Sequence, residues 1–205
     1  MEDLLELYAE PHDPQYPVVC FDEKLYQLVS EVRQPLPPAP GRPRRYDYEY
    51  CREGTCNLFM CLQPLTGWRH VEVTARRTAH DCAQCMKALV DDYLPTARLI
   101  RVVLDNLNTH TPAALYEAYP PAQARRLLRK LDFRYTPKHG SWLNMAEIEL
   151  AVLGKQCLDQ RLPNQRAVSK TIASWETRRN AAHAVVHWQF TTTKARRKLR
   201  RLYPA

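Results

Sequence analysis

The sequence contains no segment that would carry the chain into or across a membrane. No run approaches the ~20 consecutive apolar residues that a membrane span requires. The first five residues are acidic and lead into no apolar segment, so we expect no secretory signal. No internal repeat is found, which excludes a solenoid. We therefore expect no membrane partner.

Acids are almost absent from the C-terminal 45 residues. Residues 161–205 contain eleven Lys and Arg side chains and one acid, Glu176. Because the whole chain carries +8 and this segment carries +10, residues 1–160 sum to −2. Segregated positive charge favours a polyanion partner, most simply nucleic acid. A solvated helical face that only aids solubility is the alternative.

Length and composition are those of an ordinary globular chain. With 205 residues, 45% apolar and 25% charged, the chain can form one domain with a sizeable core, and we expect a single domain over 1–205. Most of the seven cysteines stand in apolar contexts, which is typical of reduced thiols in a cytoplasmic protein. Cys82 and Cys85, with Cys51 and Cys56, permit a zinc site, but Cys82 and Cys85 also fit the buried stripe of a helix.

Two short apolar runs each end on an acid. Residues 100–104 are rich in β-branched side chains and predict a strand buried on both faces, and Asp105 follows directly. Residues 18–21 form a second such run before Asp22 and Glu23. A buried carboxylate is costly unless it is paired or binds a metal, and α/β folds bind ligands at the carboxyl ends of strands. A plain turn at Asp105 is the alternative.

The rest of the chain alternates strand and helix patterns. The predicted elements are a hairpin over 55–74, a helix over 78–94 capped by Thr78, a broken helix over 111–131, a strand over 133–136, a helix over 141–159 capped by Ser141, and a helical region over 164–201. Residues 31–45 contain five prolines and four arginines and predict a basic extended loop, either a linker or a track for a phosphate backbone. This order predicts one α/β domain with a mixed sheet.

The helix predicted over 141–159 offers a third carboxylate. Glu147 and Glu149 cannot share a helix face, because they are two residues apart. Glu147 is in line with the small residues Ala151 and Gly154, which allow close approach to a sheet, whereas Glu149 is expected to pair with a base or to face solvent. Asp22, Asp105 and Glu147 would form an all-oxygen site, which suits Mg²⁺ or Mn²⁺. Two such ions about 3.5–4 Å apart promote phosphodiester cleavage.

Around these acids the sequence resembles the catalytic domain of the bacterial insertion-sequence transposases related to mariner. The matching motifs are Cys20–Glu23, Val103–His110 and Thr136–Glu147, of which the stretch Ser141-Trp142-Leu143-Asn144 is the most specific. The resemblance covers about residues 18–203. It implies an RNase H-like fold with a mixed five-stranded sheet flanked by helices. It also implies that Asp22, Asp105 and Glu147 are the catalytic, metal-binding acids of a DDE transposase.

The resemblance also implies an activity. It implies cleavage of phosphodiester bonds at transposon ends and their joining to target DNA at TA steps. Two Mg²⁺ or Mn²⁺ ions would be the cofactors, and the enzyme would act as a homodimer on DNA in the bacterial cytoplasm, associated with the nucleoid. The family's N-terminal helix-turn-helix region has no counterpart in the 21 residues before Asp22, so we expect it to be absent. The chain is then a separately encoded catalytic half, a fragment or a remnant.

Two other functions fit the same sequence. The chain could be a DNA-binding transposase remnant without catalysis, or an RNase H-like nuclease that acts on another nucleic acid. The intact set of three acids argues against decay, since one substitution would suffice to end activity.

Basic, aromatic and polar side chains near these motifs are candidates for DNA contacts. His110 and His139 flank two of the acids and would contact phosphate or orient a metal ligand, although a lone histidine is more often a hydrogen-bonded structural residue. Trp142 is expected in the core, with a base-stacking platform as the alternative. The DNA-binding candidates are Arg42, Arg44, Arg45, Asn106, His110, Lys138, His139, Trp142, Arg196, Arg197, Lys198, Arg200 and Arg201.

Overall fold

A computed structural model describes residues 1–202, which form strands and helices joined by loops. The strands are β1 (Val18–Glu31), β2 (Tyr50–Gln63), β3 (Trp68–Thr74), β4 (Ile100–Leu104) and β5 (Leu131–Tyr135). The α-helices are α1 (Glu2–Ala9), α2 (Ala79–Ala88), α3 (Pro112–Ala118), α4 (Pro121–Leu128), α5 (Met145–Gln156), α6 (Gln165–Ala181) and α7 (Thr192–Lys198). A π-helical turn at Leu89–Tyr93 extends α2, and 3-10 turns lie at Ser141–Leu143 and Arg200–Leu202. Within this part of the chain, no helix has the length and apolar character needed to cross a membrane.

The five strands form one mixed sheet in the order β3-β2-β1-β4-β5. Antiparallel pairing joins β1 to β2 and β2 to β3, whereas β1 pairs parallel with β4 and β4 pairs parallel with β5. The predicted hairpin of β2 and β3 and the mixed sheet are confirmed. β1 and β4 are neighbours within the sheet, so Asp22 in β1 and Asp105 after β4 belong to adjacent strands.

Helices cover both faces of the sheet, because side chains alternate between faces along each strand. On one face, called the α5 face, Cys20 and Val103 pack in a core with α1, α5, α6 and α7. On the other, called the α2 face, Phe21 and Leu104 pack in a core with α2, α3 and α4. The central strands are therefore apolar on both sides, as their sequence predicted.

β1 is longer than predicted. The apolar run over 18–21 predicted a strand that ends before Asp22, and this was wrong. The strand continues to Glu31 because β2 pairs with it in antiparallel register as far as Glu31 opposite Tyr50. A long-range partner thus extends the strand beyond its apolar run, and Asp22 lies inside β1 rather than at its end.

Residues 32–49 form an exposed arm between β1 and β2. Its basic, proline-rich sequence has isolated bridges between Leu36 and Arg45 and between Ala39 and Arg42, so the predicted extended loop folds back on itself. Arg161 holds the base of this arm. Its guanidinium donates to the carbonyl oxygens of Asp47 at 2.6 Å and Glu49 at 2.9 Å.

The predicted helix ends are confirmed at α2 and corrected elsewhere. Thr78 and Asp81 form a reciprocal capping box at the start of α2. Ser141 does not cap α5; residues 141–143 form a 3-10 turn, and Asn144 caps the helix by accepting a hydrogen bond from the amide of Ala146. The helical region predicted over 164–201 is two α-helices, α6 and α7, separated by residues 182–191.

Candidate active site

Asp22 and Asp105 lie side by side because of the register of two parallel strands. The last paired residues of β1 and β4 are Cys20 and Val103, and both point to the α5 face. Asp22 and Asp105 each follow two residues later, so the period of two places both carboxylates towards the same face. Neighbouring strands are about 4.8 Å apart, a distance that two carboxylates can span with a shared cation.

The first turn of α5 brings Glu147 to these aspartates. Asn144, which caps α5, is fully buried and donates from its side-chain amide to the carbonyl oxygen of Phe21 at 2.8 Å. Phe21 precedes Asp22 in β1, so this hydrogen bond ties the start of α5 to the first acid. Ala146 packs in the core, and Glu147 remains exposed in the first turn. The sequence analysis missed this role of Asn144. The available indication was that asparagine is a preferred N-cap residue and that Asn144 stands just before Met145.

Electrostatics show that the three acids share one region. Burial, and next the charges of Glu23, Asp105 and Glu147, raise the pKa of Asp22 to about 7, although a hydrogen bond from the backbone amide of Glu23 opposes the shift. A nearby cation stabilises the charged form of a carboxylate whose pKa is raised in this way. The donor set of Asp22, Asp105 and Glu147 is therefore chemically suited to a hard divalent ion.

The three carboxylates do not converge on one metal position. Within residues 1–202, no group of three or more His, Cys, Asp or Glu side chains is arranged so that it could hold a metal ion as it stands. Because the Glu147 side chain is exposed, it can change rotamer without disturbing the core. The three carboxylates thus fit a divalent ion by chemistry and placement, and binding would need side-chain rotation.

Glu149 has the opposite environment from Glu147. Its side chain is 1% exposed and accepts two hydrogen bonds from Arg179 on α6, both at 2.9 Å. Arg69 on β3 is also fully buried, and its Nε lies 3.0 Å from Glu149 Oε1. The expectation that Glu149 pairs with a base is confirmed, and this ion cluster fixes the rotation of α5 about its axis.

The turn after β4 is organised by Asp105 itself. Asp105 Oδ1 accepts a hydrogen bond from the amide of Leu107 at 3.1 Å and lies 2.7 Å from Nδ1 of His110. The hydroxyl of Tyr135 on β5 donates to the carbonyl oxygen of His110 at 2.7 Å. The turn chemistry considered for Asp105 is thus present, and it coexists with the placement of this acid beside Asp22.

The DNA contact predicted for His110 is contradicted by the structure. His110 is 1% exposed, because its ring packs edge-on against Phe21 under the end of the sheet. Burial disfavours the charged ring, but Glu23 and then Asp105 outweigh it and raise the pKa of His110. His110 therefore interacts with carboxylates inside the domain and not with a ligand outside it.

Glu23 is a site residue that the sequence analysis did not select. It follows Asp22 in β1 and so points to the α2 face, where its side chain is 4% exposed. Its Oε2 lies 2.9 Å from His110 Nε2, and Arg77 donates to its Oε1 at 3.0 Å. The available signal was an acid directly after Asp22 together with a histidine five residues after Asp105.

The sequence profile of the DDE superfamily endonucleases matches residues 17–169, a stretch that includes all three acids. The chain belongs to this family. Enzymes of this family generally use divalent metal ions. No curated protein matches the sequence significantly.

Solved structures similar to this DDE domain include a transposase. The domain aligns with the crystal structure of the Mos1 strand transfer complex with a TM-score of 0.55 and 18% identity, over 89% of this chain and 56% of that one. A cryo-electron microscopy structure of a simian T-cell lymphotropic virus intasome in complex with PP2A regulatory subunit B56 gamma aligns with a TM-score of 0.47 and 10% identity, over 78% of this chain and 49% of that one. The DDE domain thus spans about half the length of these chains. Its fold is the RNase H-like fold of the transposase.

Three of the DNA-binding candidates lie on the loop that leads into α5 of the DDE domain. Lys138 and His139 are exposed on the turn that closes with a hydrogen bond from the amide of Gly140 to the carbonyl oxygen of Pro137. A Cβ on Gly140 would stand 2.6 Å from the Pro137 ring, so glycine is required there. Trp142 is 44% exposed, which corrects its expected place in the core.

The Trp142 ring connects this loop to the basic C-terminus of the domain. It packs edge-on against Phe190 at 5.5 Å between ring centroids, and α7 begins two residues after Phe190. Arg197, Lys198, Arg200 and Arg201 are exposed there, and Arg196 forms an ion pair with Glu2 on α1. The basic terminus therefore attaches on the Glu147 side of the domain. Two other arginines of the basic segment 161–205, Arg161 and Arg179, make contacts within the domain instead.

Other candidates are separated from the acids or serve structural contacts. Arg42, Arg44 and Arg45 are exposed on the arm. The arm begins after Glu31, which lies nine residues along β1 from Asp22 and hence about 30 Å from it. The Asn106 side chain donates to the carbonyl oxygen of Thr136 at 2.6 Å and joins the ends of β4 and β5.

A zinc site in the DDE domain is contradicted by the cysteine positions. Cys56 packs on the α5 face, whereas Cys82 and Cys85 pack on the α2 face, and Cys51 is exposed. The sheet separates the two halves of the supposed site, so these cysteines are core residues.

Lys24 is a further basic residue near the acids that sequence reasoning missed. It shares the α5 face with Asp22, since it stands two residues further along β1. A Cβ on Gly154 would lie 3.4 Å from Lys24 Nζ, which places this exposed ammonium beside the Glu147 side of α5. The alternation of side chains along β1 could have indicated this position, but the strand was predicted to end before Lys24.

Proposed function

We propose that the chain is the catalytic domain of a metal-dependent DNA transposase of the bacterial insertion-sequence branch related to mariner. It would cleave phosphodiester bonds at transposon ends and join them to target DNA at TA steps. The observation that carries the proposal is the placement of Asp22 and Asp105 on neighbouring parallel strands, facing the first turn of α5 with Glu147. Membership of the DDE superfamily endonucleases supports it.

Asp22, Asp105 and Glu147 would hold two Mg²⁺ or Mn²⁺ ions. Bound there, the ions would activate the attacking oxygen and stabilise the leaving oxygen of the phosphodiester. The chain's own contribution is to keep three carboxylates in one place. The β1–β4 register sets Asp22 beside Asp105, and the hydrogen bond from Asn144 to Phe21 brings Glu147 to them.

DNA would approach along the exposed edge that carries Lys138, His139 and Trp142. Lys24 and the basic residues after Phe190 would neutralise phosphates on both sides of the acids, while Trp142 offers an exposed ring to a base. Arg42, Arg44 and Arg45 would contact DNA outside the reacting segment. We propose a homodimer on DNA, with the protein in the bacterial cytoplasm and associated with the nucleoid.

A cleavage assay tests this function. The purified chain is incubated with Mn²⁺ and with supercoiled DNA that carries the sequences flanking its own coding region, and nicks are mapped by primer extension. We expect nicks at the element ends that require both Mn²⁺ and Asp105, so Asp105→Asn should be inactive although its circular dichroism spectrum shows that it is folded. Equal nicking by Asp105→Asn and wild type would remove the metal-ligand role.

The other outcomes separate the alternatives. DNA binding by a folded wild-type chain without any Mn²⁺-dependent nick would indicate a non-catalytic remnant. Mn²⁺-dependent cleavage of an RNA–DNA hybrid, with the element DNA left intact, would indicate a nuclease for another nucleic acid.

A further inference from the structure

A chain of buried polar contacts reaches Asp105 from the opposite face of the sheet. Asp105 Oδ1 meets His110 Nδ1 at 2.7 Å, and His110 Nε2 meets Glu23 Oε2 at 2.9 Å. The His110 side chain is fully buried and that of Glu23 is 4% exposed. Arg77 closes the chain at the surface, 3.0 Å from Glu23 Oε1.

Stability does not account for this arrangement. The contact between Glu23 and His110 is close but is not aligned as a hydrogen bond, and neither Oε2 nor Nε2 has another hydrogen-bond partner among residues 1–202. Buried polar groups that lack such partners cost free energy, and a buried ion pair is often no more stable than apolar residues of similar size. The pairing therefore needs an explanation other than stability alone.

The geometry supplies this explanation. Both contacts to Asp105, from Leu107 and from His110, are made to Oδ1, so neither uses Oδ2. A carboxylate held by one oxygen presents the other in a defined direction. Because Glu23 Oε2 lies against the far nitrogen of the ring, His110 cannot turn away from Asp105 without leaving this buried oxygen without a charged neighbour.

We propose that Glu23 and His110 are positioning residues that orient the Asp105 carboxylate for a divalent ion. This inference rests on the proposed function of Asp105. The two neighbouring acids of β1 then have different tasks, since Asp22 faces the metal-binding side and Glu23 acts through His110 from behind the sheet. Groups that hold a metal ligand in this way typically contribute 10–100-fold to metal affinity or activity.

Direct Mn²⁺ binding to the purified chain tests the role without relying on catalysis. Isothermal titration should give a Kd about 10–100-fold higher for His110→Leu and for Glu23→Gln than for wild type. His110→Asn should recover part of the loss, because its amide nitrogen stands near the position of Nδ1 and can donate to Asp105. Glu176→Gln is the matched control: it removes a carboxylate from another histidine, His70 on edge strand β3, and should leave the Mn²⁺ affinity unchanged.

Histidine ring spectra of the metal-free protein provide a second readout. In ¹⁵N–¹H spectra, Asp105→Asn should shift the Nδ1 proton of His110 and Glu23→Gln its Nε2 proton. A folded His110→Leu variant with wild-type Mn²⁺ affinity would overturn the proposal. If that variant does not fold, wild-type affinity of Glu23→Gln together with an unshifted ring signal would overturn it.

Failure of the proposed function gives a different result. If Asp105→Asn binds Mn²⁺ as tightly as wild type, Asp105 is not a metal ligand. If Asp105→Asn loses binding while His110→Leu and Glu23→Gln retain it, the metal site stands and the positioning role is wrong.

Discussion

Glu147 and Glu149 stand two residues apart on α5 and occupy opposite environments. Glu147 is exposed beside the strand aspartates, whereas Glu149 is buried between Arg69 and Arg179. Their positions differ by about 200° around the helix axis, so only one of them can face Asp22 and Asp105. Glu147 is therefore available to the proposed metal site, whereas Glu149 belongs to a buried ion cluster.

Substitution of these two acids should have opposite effects. Glu147→Gln should abolish Mn²⁺-dependent cleavage and leave the melting temperature unchanged, since its side chain makes no buried pair. Glu149→Gln should keep most cleavage per folded molecule but destabilise the protein by about 3–5 kcal/mol, because Arg69 loses its buried partner. Cleavage rates and urea unfolding measure the two effects. In crystals soaked with Mn²⁺, a metal bridging Asp22, Asp105 and Glu149 would contradict this expectation and make Glu149 the metal ligand.

Asp22→Asn should alter the response of stability to pH and to metal. Burial and neighbouring acids raise the pKa of Asp22 from 3.8 to about 7, so the folded state binds more protons between these values and the metal-free wild type loses stability as pH rises through them. The Asn variant lacks this loss and should gain relative to wild type from pH 4 to pH 8. Mg²⁺ should raise the melting temperature of wild type at pH 8 more than that of the variant. Parallel melting curves against pH would contradict this expectation.

Glu176→Gln should remove a pH dependence of stability that comes from His70. Burial opposes charge on this ring, but hydrogen bonds with Glu176 and Glu72 outweigh it and raise the pKa of His70 to about 9. The stabilisation is therefore complete below pH 6.5 and is lost as pH rises through about 9. Urea unfolding at pH 6, 8 and 10 should show this loss in wild type and a flatter profile in the variant. Glu117→Gln, an exposed change on α3, should behave as wild type.

Charge removal after α7 should weaken DNA binding in a salt-dependent way. If Arg197 and Arg200 contact phosphate, replacing both with Gln should flatten the slope of log K against log salt by up to about 0.9 per lost contact. Replacing exposed Arg125 on α4 and Arg129 just after it removes the same charge from the opposite face of the sheet and should leave the slope nearly unchanged. Equal slopes for both double variants would mean that the basic terminus is only a solvated face. Deleting the segment is less informative, since Ala195 in α7 is fully buried.

Local patterns predicted most of the fold. The β2–β3 hairpin, the capping box at Thr78 and the mixed sheet depend on turn chemistry, capping residues and short apolar runs, which are visible within a few residues. The length of β1 was not visible in this way, because its second half is paired by β2 some twenty residues later. The cap of α5 was misplaced for a similar reason: Ser141 and Asn144 are both good caps, and only contact with Phe21 decides between them.

The candidate site was predictable where its residues stand next to local sequence patterns. Asp22 and Asp105 follow apolar runs, and the small residues Ala151 and Gly154 favoured Glu147 over Glu149. The contact of Trp142 with Phe190 joins residues almost fifty positions apart, and His110 packs against Phe21 and contacts Glu23 from a distant part of the chain. Such pairings between distant segments leave no periodic signal in the sequence.

The alternation of side chains along β1 makes the spacing before Asp22 a functional quantity. Deleting one residue between Val18 and Asp22 while β4 keeps its partner would exchange the two acids, placing Glu23 on the α5 face and Asp22 against His110. Composition, charge and hydrophobicity would hardly change, yet each carboxylate would occupy the other's surroundings. Whether the number of residues between Val18 and Asp22 is even or odd therefore matters as much for this protein as the identity of its acids.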